Sequence, residues 1–218
     1  MDGLLSVDLD LPDLLLGVVR AEGVVNGPSP AGLAAELAAE ATRVGALEGY
    51  PAPELKKAVR DVLRTRGYKP AGRGKPASEY LAGMARKGDF PVISTLVDIN
   101  NLVSLESGLP ISVLDLGKFV GAPSLRFGGD DESYVFNPSG QEIGLRGLIV
   151  VCDGDTPRGT PIKDSMATKV NEQTGRVLAV IYGTRVTQTV EQMESHARRF
   201  AGLLEVHAGA TGIDVEVL

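Results

Sequence analysis

The most constraining feature of the sequence is the stretch 98–116, DINNLVSLESGLPISVLDL, which carries polar side chains inside an otherwise apolar pattern. Apolar residues recur at helical spacing over 95–106, and Gly108 is placed to end the predicted helix before a short extended segment. The same pattern contains the neighbouring amides Asn100 and Asn101. Because buried amides need hydrogen-bond partners, this stretch is either a hydrogen-bonded structural element or the wall of a pocket.

Outside this stretch, helical periodicity dominates the first half of the chain and short β-type runs dominate the second. Gly17 and Gly23 interrupt the apolar residues of 4–25, which predicts two short strands there. The other predicted helices run from Pro30 to Gly45, from Pro53 to Gly67, from Ser78 to Lys87 and from Thr189 to Leu204. The other predicted strands are 125–127, 134–136, 141–145, 147–152, 176–182 and the alternating edge strand 213–218.

Positive charge is concentrated in one segment of a mildly acidic chain. The formal net charge is −6, yet residues 54–87 contain ten basic and three acidic side chains and therefore carry +7. An acidic chain is a poor general polyanion binder, but this local asymmetry indicates an anionic partner. The alternative is a solvated helix face with no partner. The candidate RNA-binding residues are Lys56, Arg60, Arg64, Lys69, Arg73 and Lys75.

Several classes of protein are excluded by what the sequence lacks. Cys152 is the single cysteine, so an internal disulfide is impossible and a reducing cytoplasm is the expected location. The acidic N-terminus is unlike a signal peptide, and no apolar run approaches the length of a membrane span. His196 and His207 lie far from Cys152 in the sequence, so neither a Cys–His nucleophile nor a zinc site is predicted, and no metal or cofactor is expected.

A long polar loop separates the two most apolar predicted strands. Loops of this length between core strands are more often functional than idle. Its segment 159–169 combines Lys163 and Asp164 with hydroxyl side chains that include Thr160 and Ser165. Such a group can bind a carboxylate, an amino group or a phosphate through charge-assisted hydrogen bonds, and the alternative is a surface turn with an exposed Lys–Asp pair.

Two segments of the chain together resemble a known family. Residues 97–116, VDINNLVSLESGLPISVLDL, resemble the motif of the B3/B4 domain of the phenylalanyl-tRNA synthetase β chain. Residues 147–182, which include GLIVVCD and GTPIKDSMATKVNEQTGRVLAVIY, are similar to the later part of that domain in its free-standing homologues. Residues 64–91 are also similar to the lead-in of those homologues, so the resemblance covers about residues 55–185. Its most specific part is the paired amide.

The resemblance implies an α+β fold, with a layered β/β/α domain of the B3/B4 type and an N-terminal helical lead-in. It divides the chain into a lead-in or subdomain at 1–90, packed on the core, and a B3/B4-like core at 91–218. In the synthetase, this domain contains the editing pocket, which hydrolyses tyrosine wrongly attached to the phenylalanine tRNA. The synthetase has Thr-Asn where this chain has Asn100-Asn101, and a histidine where this chain has Ser112. An editing-site glutamate is replaced by an apolar residue in the 176–182 strand.

The resemblance and the side-chain types together assign roles in a predicted pocket. Lys163 would stabilise developing negative charge, and Asp164 would orient or deprotonate a water molecule if burial raised its pKa. An aminoacyl ester is already activated, so placing a water and stabilising an oxyanion are the main requirements. The predicted substrate-binding residues are Asn100, Asn101, Ser112, Thr160 and Ser165.

Two functions stay open for such a chain. The first is a stand-alone editing domain that binds tRNA or aminoacyl-tRNA through the basic segment 56–87 and hydrolyses mischarged aminoacyl-tRNA in trans. The second is a non-catalytic module that binds an amino acid, another small molecule or RNA in the inherited pocket. The missing family histidine and glutamate favour the second function, whereas the amide pair and the charged loop favour a pocket in both. Neither function includes ligase activity or a membrane partner.

Overall fold

The computed structural model describes residues 3–218 and has an α+β fold, built from two four-stranded sheets, a two-stranded sheet and five α-helices. The prediction of an α+β fold is therefore confirmed. The helices are α1 (Ala31–Gly45), α2 (Pro53–Arg64), α3 (Ala77–Ala85), α4 (Thr95–Ser107) and α5 (Val190–Ala208). The strands are β1 (Ser6–Val7), β2 (Leu14–Glu22), β3 (Ile111–Asp115), β4 (Pro123–Phe127), β5 (Ser133–Val135), β6 (Glu142–Gly144), β7 (Ile149–Asp153), β8 (Thr156–Gly159), β9 (Arg176–Thr184) and β10 (Gly212–Val217).

The first sheet has the strand order β10-β2-β9-β3 and is antiparallel throughout. Its central strands β2 and β9 are rich in Val, Leu and Ile, as expected for strands that are buried on both faces. Successive side chains of a strand point to opposite faces. Ile111 and Val113 of β3 therefore pack into one hydrophobic core, and Leu114 packs into the other. Ser112, which alternates with Ile111 and Val113, faces the same side as Leu114.

The first sheet separates a helical layer from the second sheet. Helices α1, α4 and α5 supply Leu37, Ile99 and Phe200 to the core on one face. The second sheet has the order β1-β4-β7-β8, and its Leu125 and Val150 pack on the other face. The predicted β/β/α layering is therefore present, and the loop that follows β8 reaches the edge strand β3 between these layers through a bridge from Lys169 to Leu114.

Helix α4 contains the amide pair and was predicted almost to the residue. It runs over Thr95–Ser107, and Gly108 follows it in the left-handed region with φ of 73°. That conformation is accessible to glycine without steric cost and satisfies the last carbonyl groups of the helix. Helical periodicity and the glycine at the C-terminal end were therefore enough to place this element.

Two strands lie within 4–25, as predicted, but the strand break predicted at Gly17 was wrong. β2 is one nine-residue strand that passes through Gly17 without interruption. A β-carbon at Gly17 would lie 2.9 Å from Sδ of the buried Met193, so this glycine marks a close helix–sheet contact rather than a strand end. Two smaller differences concern Ser78, which is buried inside α3 rather than at its N-cap, and β8, which lies in a segment predicted as loop.

Strand β2 also connects the two predicted parts of the chain. It lies between β9 and β10 in the first sheet, with pairs that run from Leu14–Thr184 to Glu22–Arg176. Residues from the predicted lead-in thus take part in the central sheet. The division of the chain into 1–90 and 91–218 stays a prediction.

The close contact at Gly17 makes a testable prediction. Gly17→Ala should lower the free energy of unfolding by about 1–3 kcal/mol, because the added methyl group must displace Met193 from a packed core. Urea denaturation measures the change. Gly27→Ala is the matched control, since a β-carbon there meets no atom within 4 Å. Equal effects of the two substitutions would contradict the proposed contact.

Candidate functional site

The hydrogen bond between Ser112 and Asp164 is the centre of the candidate site. Ser112 is fully buried on β3, and its Oγ donates to Oδ1 of Asp164 at 2.7 Å. The same hydroxyl lies 3.2 Å from the hydroxyl of Tyr182 and 3.2 Å from the carbonyl oxygen of Thr160. The structure therefore brings together three of the predicted site residues and adds a tyrosine from β9.

Hydrogen bonds with nearby hydroxyl side chains hold the backbone around Asp164 in place. Oγ1 of Thr160 accepts from the backbone N–H of Lys163 at 3.1 Å and donates to the Lys163 carbonyl oxygen at 2.8 Å. The hydroxyl of Tyr134 donates to the same carbonyl oxygen at 2.5 Å. Ser165 accepts from the backbone N–H of Ala167 and starts a short 3-10 turn. Thr160 and Ser165 thus shape the loop that presents Asp164.

The environment of Asp164 changes its acidity. Burial of the carboxyl group raises the pKa of Asp164 to about 7, although part of the residue reaches the surface. The hydrogen bond from Ser112, backbone N–H groups and the charge of Lys169 act in the opposite direction but are weaker. Gly159 permits this placement, because a β-carbon there would lie 2.8 Å from Oδ1 of Asp164. The carboxyl group is consequently able to exchange a proton near neutral pH.

Lys163 and Lys169 both contact Phe136 rather than a carboxylate. Nζ of Lys163 lies 3.6 Å from the centroid of the Phe136 ring, and Nζ of Lys169 donates to the Phe136 carbonyl oxygen at 2.6 Å. Burial lowers the pKa of Lys163, and the positive charges of Arg73 and Lys169 lower it further. No ion pair within residues 3–218 joins Lys163 to Asp164, so the Lys–Asp pair considered from the sequence is not formed.

Asn100 and Asn101 lie in the helical layer. The neighbouring Ile99 of α4 packs in the core on the helical side of the first sheet, whereas Ser112 faces the second sheet. Asn101 is buried, and Oδ1 of Asn100 is buried without a hydrogen-bond partner among residues 3–218. No hydrogen bond in this part of the chain links either amide to Asp164. A shared pocket of the amides and Asp164 therefore stays a prediction.

Other polar residues of the 98–116 stretch have structural partners. The carboxylate of Asp98 accepts one bifurcated hydrogen bond from the backbone N–H of Ile93, with distances of 3.0 and 3.1 Å to its two oxygens. Oγ of Ser104 donates to the carbonyl oxygen of Leu109 at 2.7 Å. These contacts tie the ends of α4 to the adjoining loops, which agrees with the interpretation of the stretch as a hydrogen-bonded element.

The six candidate RNA-binding residues separate into two groups. Arg60 binds Glu79 through two bonds of 2.6 Å, Lys56 lies 3.8 Å from the same carboxylate, and Arg64 binds Asp61 at 2.7 Å. The remaining three residues are exposed in the loop 68–76, and none of them forms an ion pair within the described chain. This second group is Lys69, Arg73 and Lys75.

The loop 68–76 lies beside the Asp164 loop. The backbone N–H of Ala77, directly after the loop, donates to the carbonyl oxygen of Pro161 at 3.0 Å. The influence of Arg73 on the pKa of Lys163 indicates the same proximity. The structure thus places the unpaired part of the basic segment next to the candidate site.

Sequence reasoning missed the aromatic residues of the site. Tyr182 and Tyr134 are buried, and burial raises the pKa of both, so their hydroxyl groups stay neutral hydrogen-bonding groups. The alternation of side chains along the 176–182 strand places Tyr182 on the same face as Leu178 and Val180. This alternation was the one sequence signal that could have identified Tyr182 as a buried residue. Nothing in the sequence pattern marked Phe136.

Other features of the molecule lie outside this site. A cleft of about 600 Å³ lies between α2, the segment before β2 and the turn after β9, and Asp13, Glu54 and Thr187 are among its lining residues. Within residues 3–218, no group of three His, Cys, Asp or Glu side chains is arranged to hold a metal ion. Over the same range, no helix combines the length and the apolar character that a bilayer crossing requires.

Comparison with known proteins agrees with the resemblance seen in the sequence. The model of the B3/4 domain, which is found in the phenylalanyl-tRNA synthetase β chain, matches residues 70–201. This range contains α4, β3, the Asp164 loop and most of α5. A search of curated proteins finds no match to the chain.

The raised pKa of Asp164 predicts a pH-dependent stability. The folded protein retains the proton up to a pH of about 7, whereas the unfolded chain loses it near the usual Asp value of about 4. The free energy of unfolding should therefore fall as the pH rises through this window, by up to about 4 kcal/mol. Asp164→Asn cannot ionise and should lack this contribution in urea titrations between these pH values.

Asp89→Asn is the control for this experiment, because Asp89 is exposed and its substitution should leave the wild-type pH profile unchanged. Parallel profiles for Asp164→Asn and the wild type would contradict the burial of an ionisable carboxyl group at this position.

Proposed function

Since the chain belongs to the B3/4 domain family, we propose that it binds tRNA or aminoacyl-tRNA and hydrolyses mischarged aminoacyl-tRNA in trans. The observation that carries this proposal is the Asp164 carboxyl group, with a pKa of about 7 and a bond to Ser112, beside an unpaired basic loop. A carboxyl group with this pKa can accept and return a proton at neutral pH. The adjacent cations suit the anionic backbone of RNA.

In the proposed reaction, Asp164 accepts a proton from a water molecule as the water oxygen attacks the carbonyl carbon of the aminoacyl ester. The bond from that carbon to the terminal ribose oxygen then breaks, and Asp164 returns the proton to the ribose oxygen. The products are a free amino acid and the uncharged tRNA. Lys163 is proposed to stabilise the negative charge that develops on the carbonyl oxygen, and Asn100 and Asn101 are proposed to position the substrate. The reducing cytoplasm, which contains charged tRNA, is the proposed location.

The loop 68–76 is the proposed contact with tRNA. Lys69, Arg73 and Lys75 are exposed and free of acidic partners within residues 3–218, so phosphate groups can reach them. The internal ion pairs of Arg60 and Arg64 make these two residues weaker candidates, because a phosphate contact would have to replace an existing carboxylate contact. The proposed RNA contact is therefore this one loop rather than the whole segment 56–87.

A second function is favoured by a different observation. Oδ1 of Asp164 already accepts from Ser112, and the ammonium group of Lys163 lies on the ring of Phe136. These contacts support a non-catalytic module that binds RNA or a small molecule such as an amino acid. The two functions differ in turnover, because both include binding but only the first includes hydrolysis.

Deacylation of a panel of mischarged tRNAs tests the proposed function. We expect hydrolysis of at least one aminoacyl-tRNA, at a rate that rises as the pH increases through about 7 because the base must be ionised. Asp164→Asn should reduce the rate by about 10²–10⁴-fold, the usual contribution of a general base. Asp89→Asn should retain the wild-type rate. Unchanged hydrolysis by Asp164→Asn would contradict the assigned base, and tRNA binding without turnover would establish the second function.

A further inference from the structure

Two lysine side chains meet at Phe136, the residue that directly follows β5. Nζ of Lys163 lies 3.6 Å from the ring centroid, and Nζ of Lys169 lies 2.6 Å from the carbonyl oxygen of the same residue. Both ammonium groups are thus within contact distance of a single phenylalanine. Arg73 comes close enough from the loop 68–76 to lower the pKa of Lys163.

The Asp164 carboxyl group balances the charge of this cluster only in part. None of Lys163, Lys169 and Arg73 takes part in an ion pair within residues 3–218. The nearby Asp164 carboxyl group accepts from Ser112, and its raised pKa leaves it partly protonated at neutral pH. In contrast, Arg60 and Arg64 of the same basic segment are each bonded to a carboxylate.

Like charges that lie close together repel each other, and a bound anion removes this repulsion. The backbone nevertheless holds them together. The carbonyl oxygen of Lys169 accepts from Nζ of Lys118 at 2.6 Å, and Tyr134 binds the carbonyl oxygen of Lys163. A firmly held backbone fixes the origin of each side chain. An ammonium group has three N–H donors, so each lysine retains donors for a ligand.

We propose that Lys163, Lys169 and Arg73 form a binding site for one phosphate group. Phosphate matches this set, because two ammonium groups and one guanidinium can each donate to a different oxygen of a tetrahedral anion. The proposal rests on the proposed function for the source of the phosphate, which is the RNA backbone next to the ester. It changes the role of Lys163 from stabilising the reacting carbonyl oxygen to holding the RNA end beside Asp164.

The first experiment measures binding without any aminoacyl ester. Inorganic phosphate and a short single-stranded RNA are titrated by calorimetry into the wild-type chain and into Lys163→Met, Lys169→Met and Lys87→Met. Met keeps the length of the lysine stem and removes only the charge. Lys87 is exposed and belongs to the same basic segment, so Lys87→Met is the matched control.

We expect Lys163→Met and Lys169→Met each to weaken phosphate binding by about tenfold, as the loss of one charge-assisted contact does. Each should also reduce the slope of the logarithm of RNA affinity against the logarithm of salt concentration by about 0.7, the value for one phosphate of a single strand. Lys87→Met should leave phosphate binding unchanged. Circular dichroism of each variant verifies that the fold is retained.

A second readout is the pKa of Lys163, followed by NMR of the labelled ammonium group. Phosphate binding should raise this pKa, since an anion favours the charged form. Wild-type affinities in both lysine variants, or an unchanged Lys163 pKa at saturating phosphate, would overturn the proposal. Competition between RNA and phosphate identifies RNA as the source, whereas phosphate binding without competition shows that the site serves a free phosphate compound.

These results are separable from those that test hydrolysis. If the wild-type chain binds phosphate and RNA through the two lysines but hydrolyses no aminoacyl-tRNA, the phosphate site is supported and the catalytic proposal fails. If hydrolysis occurs and depends on Asp164 but the lysine variants bind phosphate as the wild type does, the phosphate site is wrong and the catalytic proposal stands.

Discussion

The hydrogen bond from Ser112 to Asp164 connects the fold to the candidate chemistry. Ser112 faces the second sheet from the edge strand β3, and Asp164 reaches it from the loop after β8. This single contact joins the loop of one sheet to the edge of the other. It also requires a buried carboxyl group, which explains both the raised pKa of Asp164 and the glycine at position 159. The acid–base property of the site is therefore a consequence of how the two sheets meet.

The same arrangement explains why positive charge gathers on one side of Asp164. The loop after β8 continues past Lys163 to Lys169, which bridges to Leu114 of β3. The loop 68–76 joins this region through the bond from Ala77 to Pro161. A titratable carboxyl group and unpaired cations thus lie on neighbouring loops, which is an arrangement that the proposed hydrolysis of an RNA-linked ester would use.

The sequence alone predicted the features that depend on local signals. Helix α4 and its end at Gly108 follow from the helical periodicity and from the glycine that stops the helix. For Asp164, the sequence supplied only a condition, which was that burial must raise its pKa before it can act as a base. Features that depend on distant partners were not predictable. Gly17 was interpreted as a strand break because its neighbour Met193 is 176 residues away in the chain. Arg60 was assigned to RNA because nothing local revealed its bond to Glu79.

The most direct test of this account is a carbon-13 NMR titration of the Asp164 side-chain carboxyl group in the wild-type protein. We expect a midpoint near a pH of about 7, because burial against Ser112 and Gly159 holds the proton on the carboxyl group. A midpoint near the usual Asp value of about 4 would show a solvated, ionised carboxylate. That result would contradict the claim that the junction of the two sheets prepares Asp164 for proton transfer.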